Sequence, residues 1–218
     1  MKTLLRIDAS ARRTDNGKPS YNSISKSLAQ LFCDHWQAQN NLSEFIYRDL
    51  GDQALPAITQ DWIAAVFTPE EHQSTEQQRL LELSDCLIDE LQRADIILIS
   101  TPMYNYGMPA ALKAWFDQVI RINRTFSFDL KRGDFPLRPI LSGKKLVLVY
   151  SCGEFGFGEE GIRAGMNHLG PHIKTLSHYL GVEQFYEVRS EYQEFADERH
   201  QASVAAARDS LTELAQML

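Results

Sequence analysis

The run Asp95-Ile96-Ile97-Leu98-Ile99-Ser100-Thr101 constrains the fold of this chain most strongly. It is short, rich in isoleucine and almost continuously apolar, which marks a strand buried on both faces rather than one with a wet side. Such a strand belongs inside a parallel sheet covered by helices. Pro102-Met103-Tyr104-Asn105-Tyr106 follows as an aromatic-polar loop, and beyond Pro109 the residues Leu112, Trp115, Phe116, Val119 and Ile120 recur at helical spacing. Pro109 suits the first helical position, where a missing N–H is no loss. The unit is strand, loop, helix. In an open parallel sheet, ligands sit outside the carboxyl ends of the strands, where this loop falls. Its flat side chains suit a planar heterocycle, and Asn105 offers an acceptor and donors.

The same alternation runs along the whole chain. Residues 4–9 read as a first strand and 45–50 as a second. Ile24, Leu28, Leu31, Phe32, His35 and Trp36 trace one helical face between them, with Ser23 as cap. A short helix is predicted over 61–67 and a long one over 69–93, with Leu80, Leu83, Leu87 and Leu91 facing inward. Residues 125–143 read as irregular, 145–150 as a fourth strand and 185–188 as a fifth. Gly170-Pro171 marks a helix start or kink, and a last helix uses Val204, Ala207, Leu211 and Leu214. This pattern predicts an α/β fold with a five-stranded parallel sheet and helices on both faces. Nothing splits residues 1–218 into more than one domain, and that length buries a substantial core.

The net charge of −7 disfavours nonspecific binding to nucleic acid or to an anionic membrane. No apolar run approaches the roughly 20 residues that span a bilayer. The N-terminal stretch is charged too early for a signal-peptide core, so the expected location is cytoplasmic. Cys33, Cys86 and Cys152 suggest no disulfide framework. His168 and His172 have helical spacing, but Gly170-Pro171 interrupts their shared face, so no metal is expected. Ser10 at the end of the first strand, with Ser23 and Ser25 at the next helix N-terminus, makes an anion site from free N–H groups, the helix dipole and hydroxyl donors.

Thr101-Pro102-Met103-Tyr104-Asn105-Tyr106, the following Leu112-Lys113-x-x-Phe116-Asp117 and then Arg124-Thr125-Phe126 resemble the flavin loop of the FMN-dependent NADH-azoreductases, within the flavodoxin-like quinone reductases. The resemblance implies the flavodoxin-like strand order 2-1-3-4-5, with FMN at the switch point between strands 1 and 3. It implies an FMN phosphate on Ser10 and on Ser23-Ile24-Ser25, a register set by Phe32, His35 and Trp36 at the helix's far end. It places Pro102, Met103, Tyr104, Asn105 and Tyr106 along the isoalloxazine, and Ser151, Cys152, Gly153 and Glu154 at its pyrimidine edge. Phe128 and Tyr179 correspond to substrate-pocket positions. The implied activity is NADH- or NADPH-dependent two-electron reduction of quinones, with azo compounds as further acceptors, by ping-pong exchange in a homodimer.

The chain departs from the family in two places. The first loop is longer, which leaves the roles of Arg12, Arg13 and Lys18 open. In the third loop Cys152 stands where many members have Arg, and Glu154 where they have Gly; an inward Glu154 would oppose the negative charge of reduced flavin. Phe126, Phe155 and Phe157 are further pocket candidates, and the glycines beside the last two argue against their complete burial. No side chain is nominated as a general acid. The alternative functions are a noncatalytic electron carrier of the same fold and a hydrolase using Ser151 or Cys152. The second lacks both a Gly-x-Ser-x-Gly elbow and a clear base.

Overall fold

The computed structural model describes residues 2–40 and 43–218. Five parallel strands form the central sheet: β1 (Thr3–Asp8), β2 (Glu44–Asp49), β3 (Ile96–Pro102), β6 (Lys144–Ser151) and β7 (Val182–Ser190). Their order is β2-β1-β3-β6-β7, which counted along the sheet strands alone is 2-1-3-4-5. The remaining two strands, β4 (Phe126–Phe128) and β5 (Leu137–Pro139), pair antiparallel outside it.

The alternation of β3 builds both sides of the core. Ile96 and Leu98 point to one face, into a cluster with Leu28, Phe32 and Trp36 of α1 (Ile24–Gln39) and Leu211 of α6 (Glu198–Met217). Ile97 and Ile99 point to the other. There they meet Leu87 and Leu91 of α3 (Thr75–Arg93), Trp115 and Phe116 of α4 (Ala110–Val119), and Ile173 of α5 (Gly170–Ser177). Each pair is fully buried, as the continuous apolar run requires.

Several predicted details are corrected. The helix predicted from residue 69 starts at Thr75, because Ser74 and Gln77 form a reciprocal capping box there; a single 3-10 turn, Glu70–His72, precedes it. Leu80 faces solvent, and Leu81 takes the inward place against Trp62 and Ala65 of α2 (Gln60–Phe67). Pro109 is the cap before α4 rather than its first residue. The stretch read as irregular contains the β4–β5 pair, whose three-residue strands are too short to show a period. β7 is longer than predicted because, as an edge strand, it keeps one face partly wet.

A buried charge ties the carboxyl end of the sheet together. Asp8, wholly buried, accepts from Arg6 Nε and Nη2 at 3.0 and 2.8 Å, from Ser100 Oγ at 2.6 Å and from the Tyr47 hydroxyl at 3.0 Å. Arg6 in turn donates to the Lys26 carbonyl at the start of α1. Removing one partner of a buried pair strands the other. Asp8→Ala is therefore expected to cost about 3–5 kcal/mol, read from urea unfolding by intrinsic fluorescence. The exposed Arg13–Asp15 pair is the control: Asp15→Ala should leave the urea midpoint unchanged.

Candidate functional site

Three loops leave the carboxyl ends of β1, β3 and β6, on the side where α/β sheets take ligands. The first begins at Ser10 and ends at the N-terminus of α1. Ser23 is extended and caps the helix, its Oγ accepting from Lys26 N–H at 3.3 Å. Ser23 N–H donates to the Arg13 carbonyl at 2.8 Å, which draws the long loop back onto the helix end. Ser10, Ser23 and Ser25 are all buried, with Ser23 and Ser25 hydroxyls 3.3 Å apart. The N–H groups of Ile24 and Ser25 meet no acceptor among the described residues. Buried hydroxyls beside unpaired N–H groups at a 16-residue helix make a candidate anion cradle. Gly51, just past β2, is required beside it: a Cβ there would lie 1.8 Å from the Ser10 carbonyl oxygen. The basic residues of the loop divide. Arg13 pairs with Asp15 and Lys18 lies over the Tyr21 ring, whereas the Arg12 guanidinium has no partner among the described residues.

The second loop is a tight turn. Tyr104 and Gly107 exchange two backbone hydrogen bonds of 3.0 Å, and Asn105 and Tyr106 between them have φ of 48° and 66°. Two left-handed central residues define a type I′ turn, for which Asn-Gly is the favoured pair. A tyrosine at the second position is uncommon and needs outside support. Three contacts supply it. The Tyr106 carbonyl accepts from His168 N–H at 3.0 Å, its ring lies 6.2 Å from that of Phe157, and its hydroxyl donates to Glu154 Oε2 at 3.0 Å. That carboxylate raises the Tyr106 phenol above its ordinary pKa. Asn105, Tyr104 and much of Tyr106 stay exposed, while Pro102 and Met103 are half-buried at the base of the loop.

The third loop is held from behind. Met103 N–H donates to the Ser151 carbonyl, and Cys152 N–H to Ser190 at the end of β7. Glu194 N–H reaches Gly153, and Tyr192 N–H reaches Glu154, so a segment after β7 backs the loop. The N–H groups of Gly153 and Glu154 have no acceptor among the described residues. Glu154 is half-buried, and besides Tyr106 it pairs with Arg163 Nη2 at 3.0 Å. Arg163 also donates to the Phe155 carbonyl and lies over the Phe155 ring. Phe155 stacks on Tyr192 at 4.5 Å. Phe157, read from its flanking glycines as incompletely buried, is only 3 % exposed. Its N–H donates to Glu191 and its carbonyl accepts from Asn167, so its backbone polar groups are satisfied inside.

Phe128 and Tyr179 are not in aromatic contact. Phe128 is exposed on β4; Tyr179, in the single turn that follows α5, packs edge-on against Phe126 at 5.8 Å. Reading the sequence missed Arg163, His168, Asn167 and Tyr192, which brace the second and third loops. They lie in irregular segments with no periodicity, so only their spatial neighbours reveal them. Cys152 is buried, and burial, reinforced by Glu191, pushes its thiol far up. A thiol held protonated is a poor nucleophile, which removes one candidate of the hydrolase reading.

The comparisons with known proteins agree with this geometry. A family model described as a flavodoxin-like fold matches residues 2–215. The FMN-dependent NADH:quinone oxidoreductase 2 of Colwellia psychrerythraea is 64 % identical over 218 residues, covering 100 % of both chains. The FMN-dependent NAD(P)H:quinone oxidoreductase 1 of Pseudomonas aeruginosa is 36 % identical and covers 96 % of this chain and 100 % of its own. Among solved structures, an azoreductase from Bacillus anthracis superposes with a TM-score of 0.84 at 18 % identity, covering all of both chains. The chain belongs to the flavodoxin-like family, alongside relatives that carry the FMN-dependent NADH:quinone oxidoreductase name.

The thiols provide a test of the environments described. Cys86 is exposed, whereas Cys33 is buried and pushed up to about 11. Iodoacetamide at pH 8 should alkylate the folded protein at Cys86 and spare Cys33 and Cys152, as read by peptide mass spectrometry. Rapid labelling of Cys152 would contradict its buried, protonated state.

Proposed function

We infer that this protein is an FMN-dependent NADH:quinone oxidoreductase. The observation that carries the reading is the grouping, beside the switch point between β1 and β3, of a candidate anion cradle, the exposed Asn105 amide of the second loop and the free backbone donors of the third. The full-length relative of the same name supports it. When bound, FMN would supply the two-electron redox chemistry between a reduced nicotinamide and a quinone. The residues present fit that group. Ser10, Ser23 and Ser25 hydroxyls with the Ile24 and Ser25 N–H groups would hold its phosphate. Pro102 through Tyr106 would run along the ring system, with the Asn105 amide meeting its polar atoms. Gly153 and Glu154 N–H groups, with Ser151 and Cys152 behind them, would face the pyrimidine edge, where donors favour the negative charge of reduction. Phe128 and Tyr179, with Phe126, would flank the acceptor, so that donor and acceptor use one site in turn.

Azo compounds are proposed as a second acceptor class, since the structurally similar Bacillus proteins are named azoreductases. A homodimer is proposed as well. Phe128, Leu130, Phe135 and Ile140 around the β4–β5 pair are exposed, and exposed apolar side chains grouped in this way often mark an association surface. Among the described residues no helix is long and apolar enough to cross a membrane, and a cytoplasmic location is proposed.

Two measurements test this reading. Ser25→Asp puts negative charge into the anion cradle and should weaken FMN binding by roughly a hundredfold or more, read by quenching of FMN fluorescence. Unchanged affinity would remove the phosphate assignment. The colour of the bound flavin should bleach with NADH or NADPH and return with benzoquinone, and double-reciprocal plots at several quinone concentrations should be parallel. Intersecting lines would instead indicate that both substrates bind together, and no bleaching with either nucleotide would favour the electron-carrier alternative.

A further inference from the structure

Glu154 lies at the centre of a contact chain that joins the two loops nearest the proposed ring site. One carboxylate oxygen takes the Tyr106 hydroxyl at 3.0 Å; the other takes Arg163 at 3.0 Å. Tyr106 holds a left-handed φ of 66° at a turn position that glycine ordinarily fills. A strained residue of this kind persists only where its surroundings hold it, and such residues gather at ligand sites. Arg163 is itself fixed, by the Phe155 carbonyl at 3.0 Å and by the Phe155 ring. The chain of contacts therefore runs from a rigid layer behind the third loop to the tip of the second. It also places one negative and one positive group, mutually compensating, on the loop that supplies N–H donors.

We propose that Glu154 is a positioning residue: with Tyr106 and Arg163 it clasps the Tyr104–Gly107 turn in its binding geometry and sets the reduction potential of the bound flavin through the balance of the ion pair. The inference rests on the cofactor reading above. Glu154 is then a built feature of this chain. Turned toward Tyr106 and Arg163, its charge is taken up by a guanidinium from nine residues further on, rather than left to oppose reduction. Loss of the negative partner leaves Arg163 uncompensated and favours reduced flavin. Loss of the positive partner has the opposite effect.

The test uses Tyr106→Phe, which removes one exposed hydroxyl and leaves the fold intact, with Glu154→Ala, Glu154→Gln, Arg163→Met and the double variant Y106F/E154A. Each of Y106F and E154A should weaken FMN binding roughly fivefold. The double variant should lose about as much as either single change, roughly fivefold rather than about twenty-five-fold, because both break one contact. E154Q keeps an acceptor for Tyr106 and should bind FMN nearly as the parent does. The midpoint potential, from dye equilibration, should rise in E154Q and fall in R163M. In the full chain before FMN is added, the Gly107 N–H should exchange faster in Y106F and E154A. Independent losses in the double variant, unchanged affinity in Y106F, or unchanged Gly107 exchange would overturn the clasp. Potentials that do not move in opposite directions would overturn the charge balance. A parent protein that fails to bind FMN at all would overturn the cofactor reading itself, and the exchange measurement would still report on the clasp separately.

Discussion

The buried carboxylate of Asp8 carries the geometry of the site. An ionised group in the interior is tolerable only when its oxygens are fully engaged. Here the engagement reaches Arg6 on the same strand, Tyr47 on β2 and Ser100 on β3. Through Arg6 it also reaches the Lys26 carbonyl at the start of α1. Lys26 extends the lattice by pairing with Asp49, which accepts from the N–H of Gly51. Three members of this lattice border the Ser10, Ser23 and Ser25 cluster. Ser10 is two positions after Asp8, Ser25 is one before Lys26, and Gly51 presses on Ser10 itself. The strand ends and the helix start are thus held in fixed relation by charges that have no other way to be satisfied.

The loops that rise from this platform are braced against one another rather than free. Met103 is tied to Ser151, Cys152 to Ser190, and His168 to Tyr106. Backbone bonds of this kind hold polar loop groups in place while leaving other N–H groups unpaired and available. That division is what a cofactor site needs: rigid support from elements behind, and unspent donors in front. Because the flavin would supply the redox chemistry, the protein's contribution reduces to orientation and to the electrostatics at the ring edge. In this chain Glu154 and Arg163 pair on the loop that carries those donors.

Much of this was legible in the sequence, for identifiable reasons. The isoleucine run 96–99 announced a doubly buried strand, and the repetition of such units announced a parallel sheet, while its order came from the family resemblance. The grouping of Ser10, Ser23 and Ser25 at one helix N-terminus was legible because a strand end and the next helix start adjoin in such folds, and helix ends leave N–H groups unpaired. Leu80 and Leu81 show where such reading stops. Both fit a helical stripe, and only the position of α2, with Trp62 and Ala65, selects Leu81 for the interior. Phe157 shows it again, since flanking glycines suggest exposure until Glu191 and Asn167 are seen to satisfy its backbone.

Periodicity, capping and composition are local properties, so the sequence by itself determined which segments form the sheet strands and the main helices, which faces are apolar, and which strand-end loops are candidates for a ligand. Tertiary structure decided what depends on groups far apart in the chain. It gave Asp8 its partners at positions 47 and 100, turned Glu154 toward Tyr106 and Arg163, and buried the thiol of Cys152. These outcomes turn on the direction of a side chain and on the charges it meets. Neither is encoded in spacing along the chain; both follow once packing has fixed which loops face each other.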